Sequence, residues 1–383
     1  MSKAMPTDRR NFLKGAGTGA GLATGLGAMP LGASAAMGEG AVQADFGPMN
    51  GQALLSRNEN PYGPAPSAIK AITENARMGC YYTDRALKRL HAMIAERHEV
   101  PIEQVVVGSG STEILCAISL AWGRDGAILC PDLFWDTTVK YGERQGVTSI
   151  RVPLSSDMNV DLAGLEAGLT EEVSLIQICN PNNPTGVLIP ASDLRAFAAK
   201  VSPKATLLVD EAYNELTDAP DDNTMIDMVR GGADLIVCRT FSKIYGMAGL
   251  RVGYAITSEQ NAERIRSHMM SFGGNLGGVA AAIGCYNDLA FLDQSRAMVL
   301  EGRKMIMDAV KTAGLTALPS QTNFVYVEVP DADAVQAAMK ERGISIRGAY
   351  GKWTQYSRVS TGKLADVERY AKALPEVISS LNA

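Results

Sequence analysis

Arg239-Thr240-Phe241-Ser242-Lys243-Ile244-Tyr245-Gly246-Met247-Ala248-Gly249-Leu250-Arg251-Val252-Gly253 sets one lysine beyond an apolar, β-biased run and an arginine eight residues after it. That run, Leu235 to Cys238, reads as a buried strand, so Lys243 falls in the loop past its carboxyl end, where open α/β sheets hold their ligands. A lone loop lysine is ordinarily a solvated surface charge. This one is crowded by small and hydroxyl residues, Gly246, Gly249 and Gly253 permit close backbone approach, and Arg251 offers a fork of donors to a phosphate. An amine that attacks a carbonyl must be neutral, which calls for desolvation and a cationic neighbour to depress its pKa.

Other expected strands also end in residues with chemistry. Val105-Val106-Val107 runs into Gly108-Ser109-Gly110-Ser111, and Thr112 to Trp122 reads as a helix whose first amides point back at that loop, a ready anion site. It fails as a dinucleotide fingerprint, because Glu113 stands where the third glycine belongs. Ala127 to Cys130 leads to Pro131 through Trp135, and Ser174 to Cys179 leads to Asn180-Pro181-Asn182-Asn183-Pro184-Thr185-Gly186, a loop stiffened by two prolines. Thr206 to Val209 ends in Asp210-Glu211-Ala212-Tyr213, and a carboxylate at the end of a buried strand is costly unless something positive meets it. Arg358, in the strand-like Tyr356 to Ser360, needs an anion for the same reason, and a carboxylate gripped through two hydrogen bonds satisfies it. Asn58-Glu59-Asn60-Pro61-Tyr62-Gly63-Pro64 reads as an irregular, turn-rich arm.

These motifs, in this order from about Leu54 to the C-terminus, resemble the fold-type I aminotransferases, specifically the class I/II branch that includes histidinol-phosphate aminotransferases. The resemblance implies an α/β fold, with a mostly parallel seven-stranded sheet in a large domain and a smaller α+β domain. It also implies pyridoxal 5'-phosphate as cofactor, tethered by Lys243. By the same resemblance Gly110, Ser111 and Thr112 form the phosphate cup with Ser242 and Arg251, Trp135 (or Phe134) stacks on the ring, and Asn183 and Tyr213 serve the phenolic oxygen. Asp210 anchors the pyridine nitrogen. Arg358 holds the donor's α-carboxylate, Asn60 and Tyr62 approach the substrate from the arm, and Arg347 stands near the substrate's side chain. Tyr82, in Tyr81-Tyr82-Thr83-Asp84, reaches the cofactor phosphate of a neighbouring subunit, so a homodimer is expected. The reaction expected is amino transfer from an L-amino acid to a 2-oxo acid. Elimination, cyclisation or racemisation on the same kind of site, and transfer from histidinol phosphate, are the alternatives.

Composition bounds the partners. The 383 residues are 46% hydrophobic and 20% charged, a globular balance on a chain too long for one ordinary core. The net charge is −5. The first 35 residues carry +3, from Lys3, Arg9, Arg10 and Lys14 against Asp8, which leaves −8 on the rest and argues against nucleic acid. The six cysteines show no paired spacing, the three histidines are too scattered for a zinc site, and His98 reads as an exposed helix-end residue.

Asp8-Arg9-Arg10-Asn11-Phe12-Leu13-Lys14, the uncharged Gly/Ala/Leu stretch after it and Ala33-Ser34-Ala35 resemble a twin-arginine export signal. An exported or periplasmic enzyme, folded around its cofactor before passing the twin-arginine machinery, is therefore expected. A free amino acid, and not the charged intermediate histidinol phosphate, is the expected donor. The expected divisions are a signal over 1–35, an arm over 36–75, a large domain over 76–275 and a small domain over 276–383.

Overall fold

Seven strands form the central sheet: β2 (Val105–Gly108), β3 (Ala127–Pro131), β4 (Ser149–Val152), β5 (Val173–Cys179), β6 (Thr206–Asp210), β7 (Leu235–Thr240) and β8 (Gly253–Thr257). The computed structural model describes residues 46–381. The spatial order is β2-β8-β7-β6-β5-β3-β4, and β8 alone runs against the others. The inner strands are near-continuous apolar runs because both faces are covered, one by a cluster around Ile176, Leu207 and Val237, the other by a cluster around Ile128, Leu208 and Ile236. This is the fold-type I architecture, with the sheet mostly parallel as expected.

A second, smaller arrangement lies toward the C-terminus. Strands β9 (Phe324–Glu328) and β11 (Tyr356–Ser360) pair antiparallel, while β1 (Ala53–Leu54) from the arm pairs parallel with β10 (Ile344–Ser345). Their own apolar cluster includes Val325, Val327, Val359 and Leu374, the last from the helix Leu364–Leu381. The long helix Leu289–Thr312 starts where the Asp288 carboxylate accepts the Phe291 N–H at 3.2 Å, a side-chain cap.

Strands β1, β4 and β8 are not foreseen from pattern. β1 has two residues and β4 is only half-buried, so neither shows an apolar run. β8 begins at the last glycine of the Lys243 stretch, and a Cβ at Gly253 would collide with the Ser111 backbone. His98 corrects the expectation of an exposed residue. It is half-buried, its Nε2 lies 3.0 Å from the Tyr254 hydroxyl and 3.2 Å from that of Tyr286, and burial pushes its pKa down to about 3.

Beneath the catalytic edge lies a buried ion pair. The Glu211 carboxylate, directly after β6, accepts Nε and Nη2 of Arg239 on β7 at 3.0 and 2.8 Å, and also takes the Met225 N–H and the Thr224 hydroxyl. Removing one partner of such a pair strands the other charge. Glu211→Ala is expected to cost about 3–5 kcal/mol in urea unfolding. Glu215→Ala, whose partly exposed carboxylate takes one Arg239 bond at 3.1 Å, is expected to cost about 1 kcal/mol.

Candidate active site

A cavity of about 640 Å³ opens at the carboxyl ends of β5, β6 and β7, with volume for a cofactor and a small substrate. Ser111, Thr112, Trp135, Asn183, Asp210, Tyr213, Ser242, Lys243, Arg251, Arg347 and Arg358 all line it. Phe134 lines it too, but is more deeply buried than Trp135.

Lys243 is half-buried and its Nζ donates to the Asn58 carbonyl at 3.2 Å. Burial, then the positive charges of Arg358 and Arg251, outweigh the nearby Glu59 and Asp210 carboxylates and hold its pKa down at about 8. Asp210 ends β6 with 5% of its surface exposed; its Oδ1 accepts the Ala212 N–H at 3.1 Å, and among the described residues no side chain donates to it. Burial raises its pKa to about 7. A carboxylate so placed is short of a positive partner, which a protonated pyridine nitrogen supplies.

The Asn183 side chain joins two groups: Nδ2 donates to the Tyr213 hydroxyl at 3.2 Å, and Oδ1 accepts from Arg358 Nη1 at 2.6 Å. Burial raises the Tyr213 pKa, so its hydroxyl stays protonated. Arg358 is 6% exposed and gives its second Nη to the Ser56 carbonyl at 2.7 Å, while its Nε has no partner. No carboxylate meets this guanidinium among the described residues. Arg347 sits beside it through backbone bonds of 2.9 and 3.1 Å between the two residues.

The anion cup also has the required shape. The helix Gly110–Gly123 has no side-chain cap on its first turn, and Ser111 and Thr112 face the cavity there. Gly110 does not line the cavity itself but has φ +74°, and a Cβ there would run into the Arg251 guanidinium. Arg251 Nη1 is held by the Ala248 carbonyl at 2.9 Å and the Ser242 hydroxyl at 3.3 Å. The underpartnered Asp210 and this helix start beside Arg251 suit pyridoxal phosphate, and the Arg358 Nε left without a partner among the described residues suits a substrate carboxylate.

Two expected positions fall elsewhere. Asn60 turns inward, where its Nδ2 donates to the Ile244 carbonyl and the Ser295 hydroxyl. The Tyr62 hydroxyl is held between the Leu364 N–H and the Gly362 carbonyl. Neither lines the cavity; both brace the arm, and Ser56, Arg57 and Asn58 face it instead. Tyr82 stands 77% exposed, with its ring centroid 4.8 Å from that of Phe272. Lys140, Arg144 and Tyr350 also line the cavity without having been singled out; the four-residue spacing of Lys140 and Arg144 after Trp135 was the available signal.

An amine of depressed pKa, a buried carboxylate and a phosphate cup on one edge of a parallel sheet define a pyridoxal-phosphate enzyme of fold type I. The chain belongs to the class I and II aminotransferase family, whose model it matches over residues 50–374. It is 34% identical to the histidinol-phosphate aminotransferase of Brevibacillus brevis, over 85% of this chain and 90% of that one. It is 31% identical to an aromatic amino acid aminotransferase of Corynebacterium glutamicum, over 85% and 93%. The fold superimposes on the histidinol-phosphate aminotransferase of Sinorhizobium meliloti, solved with pyridoxal-5'-phosphate, with a TM-score of 0.79 at 30% identity, covering 86% of this chain and 91% of that one. The protein is a pyridoxal-phosphate-dependent transaminase.

The depressed pKa of Lys243 has a direct readout. In cofactor-free enzyme, acylation of Nζ followed by peptide mass mapping should rise about tenfold per pH unit and level off near pH 8. A surface lysine keeps rising to about pH 10.4. A plateau for Lys243 no lower than that of the surface lysines would contradict the desolvated, cation-flanked site.

Proposed function

We propose that the enzyme moves an amino group from a free L-amino acid to a 2-oxo acid, with Lys243 as proton carrier. One observation carries the reading: Lys243 Nζ and the anion-seeking Arg358 face one cavity, with Asp210 at its floor. Lys243 would hold the cofactor covalently at Nζ. Asp210 would face its pyridine nitrogen, Asn183 and Tyr213 its phenolic oxygen, Trp135 one face of its ring, and Gly110, Ser111, Thr112, Ser242 and Arg251 its phosphate. When bound, pyridoxal phosphate supplies an electron sink for the bond broken at the donor's Cα.

The chain's own residues do the rest. Arg358 grips the α-carboxylate of the donor, and later of the 2-oxo acid, through its paired N–H groups. Once free, Lys243 Nζ takes the Cα proton as a neutral amine and returns a proton as an ammonium. A pKa near 8 keeps both forms accessible near neutral pH. The Tyr213 hydroxyl, kept protonated by burial, donates where negative charge gathers.

Histidinol phosphate is the second reading for the donor. It is favoured by Arg57, Lys140, Arg144 and Arg347, which line the same cavity, and by the names of the relatives. We infer the free amino acid from the N-terminal segment, which lies outside the described residues and which we read as a twin-arginine signal placing the enzyme beyond the membrane. A donor panel should therefore give its highest kcat/KM with a free amino acid, and a reporter fused after Ala36 should be exported in a manner that needs Arg9 and Arg10. Histidinol phosphate as best donor together with a cytoplasmic reporter would overturn the reading.

We further infer a homodimer in which the partner subunit's Tyr82 completes each phosphate cup. Support comes from the exposure of Tyr81, Tyr82, Met270 and Phe272, each two-thirds or more open to solvent in the single chain. Lys243→Ala and Tyr82→Phe homodimers are both expected to be impaired. Mixing and refolding them should restore about one site in each hybrid dimer, and an enzyme fully active as a dilute monomer would refute the shared site.

A further inference from the structure

Among the described residues of the arm, Asn58 alone hydrogen-bonds both Lys243 and Tyr213, and it does so from a conformation that few side chains tolerate. Its φ is +56°, in the left-handed region, and it is 2% exposed. Asparagine is among the few non-glycine residues that enter this region readily; most others are strained there. The turn aims the Asn58 carbonyl at the cavity, where it accepts Lys243 Nζ at 3.2 Å and Asn323 Nδ2 at 2.9 Å. The side chain points the other way round the same site, with Nδ2 donating to the Tyr213 hydroxyl at 3.1 Å. Ser360 clamps the residue twice: its hydroxyl accepts the Asn58 N–H at 2.9 Å and donates to Oδ1 at 2.7 Å.

We propose that Asn58 is a positioning residue for the proton transfers of this enzyme, aiming Lys243 Nζ through its left-handed carbonyl and fixing the Tyr213 hydroxyl through its amide. The inference rests on the reading that Lys243 carries the proton. A neutral amine that gives one N–H to a fixed carbonyl can no longer spin freely, so its lone pair is confined to the two staggered positions that the donated hydrogen leaves open. The Tyr213 hydroxyl, accepting from Asn58 and Asn183 together, is left to aim its own hydrogen elsewhere. Preorganisation of this kind acts on the chemical step and leaves the donor's grip on Arg358 alone.

The two halves of the role separate by substitution. Asn58→Gly keeps the backbone conformation and the carbonyl but removes the amide. Asn58→Ala removes the amide and strains the turn. In the holoenzyme, Asn58→Gly should lower kcat about 3- to 10-fold and Asn58→Ala about 30- to 100-fold, with the donor's KM within about twofold of wild type.

A second readout is independent of turnover. In cofactor-free protein, the pH midpoint for acylation of Nζ should fall in Asn58→Ala, because the ammonium loses an acceptor, and should stay near wild type in Asn58→Gly. The other charges facing Nζ, from Arg358, Arg251, Asp210 and Glu59, are unchanged in both. If Asn58→Ala does not fold, Ser360→Ala loosens the same clamp without touching Lys243 or Tyr213, and should lower kcat about 3- to 10-fold at constant KM. Equal kcat in the Gly and Ala variants, an effect on KM alone, or unshifted midpoints would overturn the inference. Lys243→Ala, run alongside, tests the reading beneath it: residual turnover there would sink the proton-carrier assignment, whatever the Asn58 variants do.

Discussion

The site depends on the register of three parallel strands. Cys179 of β5 is level with Asp210 of β6, which is level with Cys238 of β7, so β5 and β6 end on one line and β7 runs just past it to Thr240. Asn183, Asp210 and Lys243 span residues 183–243 in sequence, yet the three strand ends bring them to one cavity. A one-residue slip of β6 would turn Asp210 from the cavity edge into the apolar layer, where an ionised carboxylate has no partner. The buried Glu211–Arg239 pair spans the same β6–β7 junction from below, so it helps to hold the register as well as satisfying its own charges.

Charge is the second constraint. Seven cationic side chains line the cavity (Arg57, Lys140, Lys243, Arg144, Arg251, Arg347 and Arg358) against the carboxylates of Asp136 and Asp210. Asp136 is already bridged by Lys140 at 3.1 Å and Arg151 at 2.8 Å, so it neutralises little of the rest. A cavity with this excess is at rest only when anions occupy it, and a cofactor phosphate with a substrate carboxylate brings them. Burial first, and then Arg358 and Arg251 out of this excess, depress the Lys243 pKa, so two of the groups that bind anions also help keep the amine available as a base.

Most of this was legible in the sequence because polar residues that terminate buried strands stand out against the apolar runs before them. Asn183, Asp210, Lys243 and Arg358 each follow or interrupt such a run, and the structure brings all four to the cavity. The glycines at 110 and 253 mark the close passage of Arg251 and of the Ser111 backbone. The arm was harder. Asn58 and Asn60 are two residues apart and equally buried, and composition cannot tell which faces the ligand; a left-handed turn at Asn58 decides it, and dihedral angles are not written in residue type. The four-residue spacing of Lys140 and Arg144 gains its meaning only once the fold sets the helix Thr137–Glu143 beside the cavity. His98 was misread for a similar reason, since the tyrosines that bury it come from β8 and from the end of the helix Leu276–Cys285, far away in sequence.

Asn183 is where the two ends of the chemistry meet. Its Oδ1 is held by Arg358, the group that would take a substrate carboxylate, and its Nδ2 by Tyr213, which faces the cofactor side. A carboxylate arriving at Arg358 competes for the Nη1 donor that now serves Asn183, and it offers an acceptor to the orphaned Nε. Any loosening of the Arg358–Asn183 bond leaves the Asn183 amide tied only to Tyr213, and through Tyr213 to Asn58 and the lysine carbonyl contact. The carboxylate site and the groups that move the proton thus meet at a single buried amide, and because the Asn183 bond to Tyr213 outlasts the exchange at Arg358, the Tyr213 hydroxyl keeps its orientation as substrate comes and goes.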